Sequence, residues 1–280
     1  MKEVAVSMVT DLLTRLTRAR DIIRDLKSVV VAFSGGVDST LLLALCLEVL
    51  GPDKVLAATA TSETYPKGEL EESRQLASAL GARQRLIETN ELADPRFACN
   101  SPDRCYFCKQ ALMQELWSIA RHEGLQCVVY GANADDLGDY RPGMNAARES
   151  GARAPLLEAG LTKQEVRLVS REMGLPTWDK PAMACLSSRV PYGIALTPAV
   201  LKQIEAAEEF LRQEIGLRQF RVRHHPPIAR LEIPAEDWER VLPKETRQRI
   251  VARLRELGYL YVTLDLDGFR SGSLNDAIKS

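Results

Sequence analysis

The sequence predicts an α/β protein: a doubly wound parallel sheet followed by a smaller C-terminal α/β unit. Three observations predict it. Short apolar, β-rich runs alternate with segments of helical length through most of the chain. The first such run, SVVVAF (28–33), lacks polar alternation, as a strand buried on both faces of a parallel sheet requires. That run ends in Ser34-Gly35-Gly36 and a helix starts at once, the junction beyond which open α/β sheets bind ligands.

The elements follow in order. Residues 6–25 form an amphipathic pattern with both charge signs, which reads as a helix and not as a signal peptide. After SVVVAF, Asp38 and Ser39 open a helix through LLLALCLEVL. VLAATATS reads as a strand, GELEESRQLASALG as a helix and ARQRLIET as a strand. KQALMQELWSIARHEG is a helix and CVVYGA (127–132) a strand. TKQEVRLVSREMG is a helix stopped by Gly174 in the manner of a C-cap.

The pattern changes after PYG (191–193). Pro198 can start a helix through LKQIEAAEEFLRQEIG. FRVRHH, ARLEI, a helix near Lys244–Leu257 and YLYVTLDL complete a second unit. The boundary is expected between Arg189 and Thr197, dividing the chain into 1–194 and 195–280.

Composition sets limits. The chain has 280 residues, 45% of them hydrophobic and 27% charged, enough for a full core and without a sign of long disorder. A net charge of -1 gives no bulk attraction for nucleic acid or an anionic membrane, so neither is expected as a partner. No run reaches the roughly 20 apolar residues of a membrane span, and a cytoplasmic location is expected. In a reducing compartment the six cysteines are not expected to form disulfides. Cys46 and Cys127 lie in apolar runs and read as core; Cys99, Cys105, Cys108 and Cys185 do not. Trp178, Trp238 and the opening helix read as packing residues, and His122 as helix surface.

Two stretches point to a nucleotide. In VVVAFSGGVDST (29–40), a strand delivers a glycine turn to a helix N-terminus, so successive backbone N–H groups form an anion nest. Ser34, Ser39 and Thr40 add hydroxyls, and Gly35 and Gly36 allow phosphate to approach closely. Asp38, in the first helical turn, is placed to hold Mg²⁺ on a polyphosphate or simply to cap the helix. The spacing is neither GxxxxGK[ST] nor GxGxxG. The second stretch is NADDLGDYRPG, whose Asn133, Asp135, Asp136, Asp139 and Arg141 follow the strand CVVYGA. Carboxylates there suit Mg²⁺ coordination or ribose contacts.

The remaining cysteines admit several chemistries. Cys105 and Cys108 form a C-x-x-C pair that fits a redox pair, a zinc knuckle or an iron–sulfur site, and spacing does not choose among them. Cys185 lies in a loop-like segment, DKPAMACLSSRVPYG, flanked by Lys180 and Arg189, positive charges that favour a thiolate. In FRVRHH, Arg221 and Arg223 share one strand face and make a cationic patch for phosphate or carboxylate. His224 and His225 lack ligand spacing.

SGGVDST resembles the signature of the N-type ATP pyrophosphatases, the PP-loop family. The resemblance implies that Ser34, Gly35, Gly36, Asp38, Ser39 and Thr40 hold departing pyrophosphate, with Asn133 and Asp136 also at the nucleotide. Taken in order, SGGVDST, NSPDRCYFCK, GANADDLGDYRPG, WDKPAMACLSSRVPYG and FRVRHH resemble the LarE family of sulfur-inserting enzymes over nearly the whole chain. That family's activity implies conversion of pyridinium-3,5-biscarboxylic acid mononucleotide into its bisthiocarboxylic form, precursor of the nickel-pincer nucleotide. ATP adenylates each carboxylate, and sulfur then displaces AMP. Family members use either a sacrificed cysteine, matching Cys185, or three cysteines holding a [4Fe–4S] cluster with an extra sulfide. Cys105, Cys108 and Cys185 match the three-cysteine pattern, so the expected cofactors are ATP, Mg²⁺ and the cluster, with sulfide or another sulfur donor. Cys99 is expected to be dispensable. The resemblance also implies substrate contacts at Lys180, Arg189, Arg221, Arg223, Glu209 and Glu232, and a homo-oligomer, a hexamer built from trimers. A PP-loop enzyme thiolating tRNA would share the ATP loop and the cysteines but calls for a basic RNA surface. A nucleotide-binding scaffold with structural zinc would release no pyrophosphate.

Overall fold

Strands that are apolar on both faces demand cover on both faces, and the chain supplies it with helices before and after each strand. In this computed structural model residues 2–138, 141–181, 184–270 and 272–276 are described, and Asp139 lies outside them. In order, the elements are α1 (Lys2–Leu26), β1 (Val29–Ala32), α2 (Val37–Leu50), β2 (Val55–Thr61), α3 (Lys67–Ala79) and β3 (Arg83–Glu88). The short α4 (Pro95–Ala98) precedes α5 (Arg104–His122), β4 (Cys127–Tyr130), α6 (Pro142–Glu149), α7 (Pro155–Glu158) and α8 (Lys163–Glu172). Then come α9 (Pro198–Gln213), β5 (Arg221–His225), β6 (Ile228–Glu232), α10 (Trp238–Val241), α11 (Lys244–Glu256) and β7 (Tyr261–Leu264).

These form two compact units. The first comprises Met1–Thr89 with Cys105–Ala182; the second comprises Asn90–Arg104 with Met183–Ser280. The expected boundary at residue 194 falls inside the second unit, which also takes a segment from the middle of the sequence. Asn100 explains the recruitment. At φ 59° it is fully buried, and its amide donates to the carbonyls of Pro191 and Ile194 at 2.8 and 2.9 Å. Gly193 and Leu196 donate back to the carbonyls of Asn100 and Ala98 at 3.1 and 2.8 Å.

The first unit holds a parallel sheet in the order β3-β2-β1-β4. Successive residues of β1 point to opposite layers. Val29 and Val31 pack with Ile23, Leu42, Leu45 and Val166, whereas Val30 packs with Met113 and Leu116 of α5. Leu41, Leu42, Leu43 and Leu45 are all buried, so α2 is apolar around its circumference, as a helix covered on every side must be. Cys46 and Cys127 are buried as expected. α8 starts with a capping box, Thr162 with Glu165, and Glu165 also receives Arg15 of α1 at 3.0 Å.

The second unit holds β5-β6-β7, with β5 and β6 antiparallel and β6 and β7 parallel. Ala207 and Leu211 of α9 and Ile250 and Leu254 of α11 pack against Val222 and Leu231. Trp178, expected to pack, is 40% exposed, with the Arg171 guanidinium of α8 5.4 Å from its ring centre.

Because β1 is central, the chain runs outward to β2 and β3 and then returns to β4 on the other side. The switch point, where ligands bind in such sheets, therefore lies between the carboxyl ends of β1 and β4. Gly131, just past β4, meets the start of α2 there. A Cβ on Gly131 would stand 2.7 Å from the Ser39 nitrogen and 2.9 Å from the Asp38 carbonyl carbon. Both neighbours are backbone and cannot swing away. Gly131→Ala is therefore expected to cost about 1–3 kcal/mol through overpacking, seen as a loss of several degrees in Tm by thermal unfolding.

Candidate active site

The turn after β1 is built from its own hydroxyls. Ser34 N–H donates to Ser39 Oγ at 3.3 Å, and Ser39 Oγ donates to the Gly36 carbonyl at 3.1 Å. Gly35 adopts φ 68° and lies against Ser73 of α3, so a side chain there would be strained and crowded. Gly36 caps α2 without a side-chain hydrogen bond, which leaves the first-turn N–H groups uncapped. An uncapped helix start on a glycine turn at the switch point has the donor geometry to receive an anion. Thr40, expected to offer a hydroxyl, is fully buried and its Oγ1 has no partner, so it packs beneath the turn.

Asp38 faces the second loop. Asn133 Nδ2 donates to its Oδ1 at 3.0 Å, and Lys163 Nζ pairs with its Oδ2 at 2.5 Å. The second loop is internally braced: Asn133 N–H donates to Asp136 at 2.9 Å, and Arg141 pairs with Asp136 at 2.7 Å. Asp135 accepts from the Lys163 backbone N–H at 3.0 Å. The structure thus brings together Ser34, Gly35, Gly36, Asp38, Ser39, Asn133 and Asp136, and adds Gly131 and Lys163, which the sequence reading missed. The capping box places Lys163 on the first turn of α8, and that signal was present in TKQE.

Lys180 stands on the other flank of the turn. It pairs with Glu69 and Glu72, both at 2.7 Å, and lies 3.4 Å from the Gly35 carbonyl. Burial opposes its charge, but the hydrogen bonds it donates to the two glutamates outweigh it and hold the ammonium above the usual lysine range. Burial, with Glu69 and Glu72 close by, also pushes the Tyr65 phenol up, so it stays a donor to the Ser34 carbonyl at 2.6 Å. Lys180 therefore braces the turn.

None of the six cysteines is in a disulfide. Cys105 is exposed and Cys108 half-buried, one turn apart at the start of α5, so their thiols share a side of the helix. Lys109, also unremarked in the sequence reading, adjoins both thiols; burial pulls it below the usual lysine range, against the pull of Cys108 and Cys105. Gly143 of α6 lies close to this turn, its Cβ position being 3.2 Å from the Cys105 carbonyl oxygen. Cys99 and Cys185 belong to the second unit. Cys99 is exposed and its thiol donates to the Arg96 carbonyl at 3.3 Å. Cys185 is half-exposed and begins the turn Leu186–Arg189. Among the described residues no group of three or more His, Cys, Asp or Glu stands assembled to hold a metal ion. The donor chemistry of Cys105, Cys108 and Cys185, all accessible thiols, nevertheless suits iron–sulfur ligation.

The cationic patch in the second unit is a buried network. Arg223 pairs with Glu232 at 2.8 Å and donates to Ser273 at 2.6 Å, and Arg230 bridges Glu232 and Asp265. Arg221 lies with its guanidinium 5.1 Å from the Phe269 ring centre. Burial, reinforced by Arg189 and Arg223, pulls it down to about 10. Glu209 is exposed and receives Gln213 at 3.0 Å; its neighbour Glu208 is the buried carboxylate, paired with Arg189 at 2.7 Å. Helical geometry decides this, since Glu208 falls on the face of Leu201, Ile204 and Leu211. His224 lies 3.1 Å from the Tyr259 hydroxyl, within the packing of the second unit.

Comparison with known proteins agrees with this geometry. A family model described as NAD synthase matches residues 11–104. The pyridinium-3,5-bisthiocarboxylic acid mononucleotide synthase of Lactiplantibacillus plantarum is 42% identical over 256 residues, covering 91% of this chain and 92% of that protein. An uncharacterised Synechocystis protein, slr1717, is 43% identical over 262 residues, 94% of this chain and 97% of its own. Argininosuccinate synthase of Haloarcula marismortui is 30% identical over 159 residues, 53% of this chain and 38% of its own. No described helix is long and apolar enough to cross a membrane. The chain belongs, within the PP-loop proteins, to the enzyme family of the pyridinium-3,5-bisthiocarboxylic acid mononucleotide synthases, LarE.

Proposed function

We propose that this enzyme converts pyridinium-3,5-biscarboxylic acid mononucleotide into the bisthiocarboxylic form, with ATP and a sulfur donor. The observation that carries the reading is the uncapped glycine turn at the switch point with Asp38 beside it, in a chain 42% identical to a synthase so named. A substrate carboxylate oxygen attacks the α-phosphorus of ATP, the bond to the bridging oxygen breaks, and pyrophosphate leaves. The uncapped N–H groups at the start of α2 are placed to hold that leaving group. Asp38, held in place by Asn133 and Lys163, is the carboxylate for Mg²⁺ on the polyphosphate. A sulfur nucleophile then attacks the acyl carbon and AMP leaves with its electron pair, giving the thiocarboxylate.

Cys105, Cys108 and Cys185 are the residues for a [4Fe–4S] cluster. Such a group, held by three thiolates, would supply one iron without a protein ligand and hence a place for transferable sulfide. Arg221 and Arg223 supply positive charge for the substrate's anionic groups.

Adenylation and sulfur transfer can be tested separately. Asp38→Asn keeps the shape and removes the charge; pyrophosphate release is expected to fall by roughly 10²–10³-fold, the scale for losing a group that stabilises developing charge. Cys105→Ala, Cys108→Ala and Cys185→Ala, prepared without oxygen, are each expected to lose bound iron and thiocarboxylate formation while still releasing pyrophosphate. Full iron and product in all three would refute the cluster. Product limited to the amount of protein, with the elements of hydrogen sulfide missing from Cys185, would instead establish the sacrificial route.

A further inference from the structure

Arg189 is 0% exposed, and each nitrogen of its guanidinium is already engaged. Nε and Nη2 donate to the two oxygens of Glu208 at 2.8 and 2.7 Å. Nη1 donates to the carbonyls of Ala184 and Cys185 at 2.5 and 3.0 Å and to Ser188 Oγ at 3.1 Å. Glu208 also accepts from the Val222 N–H at 3.0 Å, so the pair is anchored to both α9 and β5. Burial opposes ionisation of Glu208, but the charge and hydrogen bonds of Arg189 outweigh it and hold the carboxyl below its usual range.

The point of convergence is the Cys185 carbonyl. It accepts from Arg189 Nη1 at 3.0 Å, from the Ser188 N–H at 3.0 Å and from Ser188 Oγ at 2.8 Å. Three donors on its carbonyl hold the peptide plane that follows Cys185, and so restrict the backbone from which the half-exposed thiol projects. A bidentate fork on Glu208, Nη1 turned to backbone carbonyls, and complete burial together keep Arg189 away from a substrate anion.

We propose that Arg189 and Glu208 are positioning residues for Cys185, and that Arg189 does not contact substrate. The proposal rests on the reading of Cys185 as the sulfur-handling cysteine. A misplacement of about 1 Å at a reacting group costs on the order of 10²-fold in rate, which gives the pair a measurable effect.

The test uses the full chain carrying Arg189→Met together with Glu208→Gln. Removing both charges avoids stranding one of them in the core, and Gln keeps an acceptor for Val222. Thermal unfolding, amide exchange of the cluster-free protein, pyrophosphate release and thiocarboxylate yield are measured beside wild type and Cys185→Ala. The expected result is a folded protein whose Ser188 amide exchanges on the order of tenfold faster. Thiocarboxylate formed per pyrophosphate should fall about 10²-fold, with the KM for the pyridinium nucleotide unchanged. Should the double variant unfold, Glu208→Asp retains the charge, shortens the reach by one methylene and serves the same comparison. A raised KM with unchanged coupling would make Arg189 a substrate contact and overturn the proposal. So would wild-type exchange and coupling in a folded variant. If Cys185→Ala keeps wild-type yield, the sulfur reading of Cys185 fails, and the pinning is still judged by the Ser188 exchange rate.

Discussion

The first unit depends on two backbones meeting where β4 ends and α2 begins. Gly131 lies so close to Ser39 that even a methyl group has no room. This contact sets the distance between the glycine turn and the Asn133 loop, and with it the bonds among Asp38, Asn133 and Lys163. Tight backbone approach also puts the uncapped N–H groups of α2 beside the acidic loop, with no side chain between them. The proposed phosphate site and the carboxylate proposed for its metal have to be adjacent, and a missing Cβ makes them so.

The charged groups differ sharply in what they contribute. Arg253–Glu256, at 43% and 64% side-chain exposure, belongs to the class of surface pairs worth about 0–1 kcal/mol. Arg189–Glu208, at 0% and 4%, and Arg223–Glu232, at 6% and 1%, are different. Desolvation of such pairs cancels much of their attraction, so they are poor devices for stability alone. They specify geometry instead: a carboxylate accepting two parallel bonds from Arg189 fixes the plane and direction of the guanidinium, and thereby the turn that starts at Cys185. The second unit thus uses an arginine as a rigid strut, where the first unit uses a missing side chain.

Legibility in the sequence followed locality. The strand–turn–helix at Ser34–Thr40 could be read because every group in it is contiguous, and the parallel sheet because apolar runs report burial directly. Asn100 could not be read, since its partners at 191 and 194 lie some 90 residues away in a segment without periodicity. The partner of Arg189 was nearer to hand. Leu201, Ile204, Glu208 and Leu211 occupy one helical stripe, and a charge on an apolar stripe announces a buried partner. Lys180 has its ammonium held by Glu69 and Glu72 beside the glycine turn, contacts that a reading by sequence neighbours does not supply.

This commitment of donors narrows where a substrate anion is met in the second unit. Four guanidinium groups, Arg189, Arg221, Arg223 and Arg230, gather with the carboxylates Glu208, Glu232 and Asp265. Arg189 is consumed by Glu208, and Arg223 and Arg230 share Glu232 and Asp265. Arg221 is held below the usual arginine range because burial and the like charges of Arg189 and Arg223 outweigh the attraction of Glu208 and Glu232. An anion arriving there would relieve that repulsion, whereas a neutral or cationic group would not. In the proposed reaction, a pyridinium nucleotide bearing phosphate and carboxylates would bring such anionic groups to Arg221.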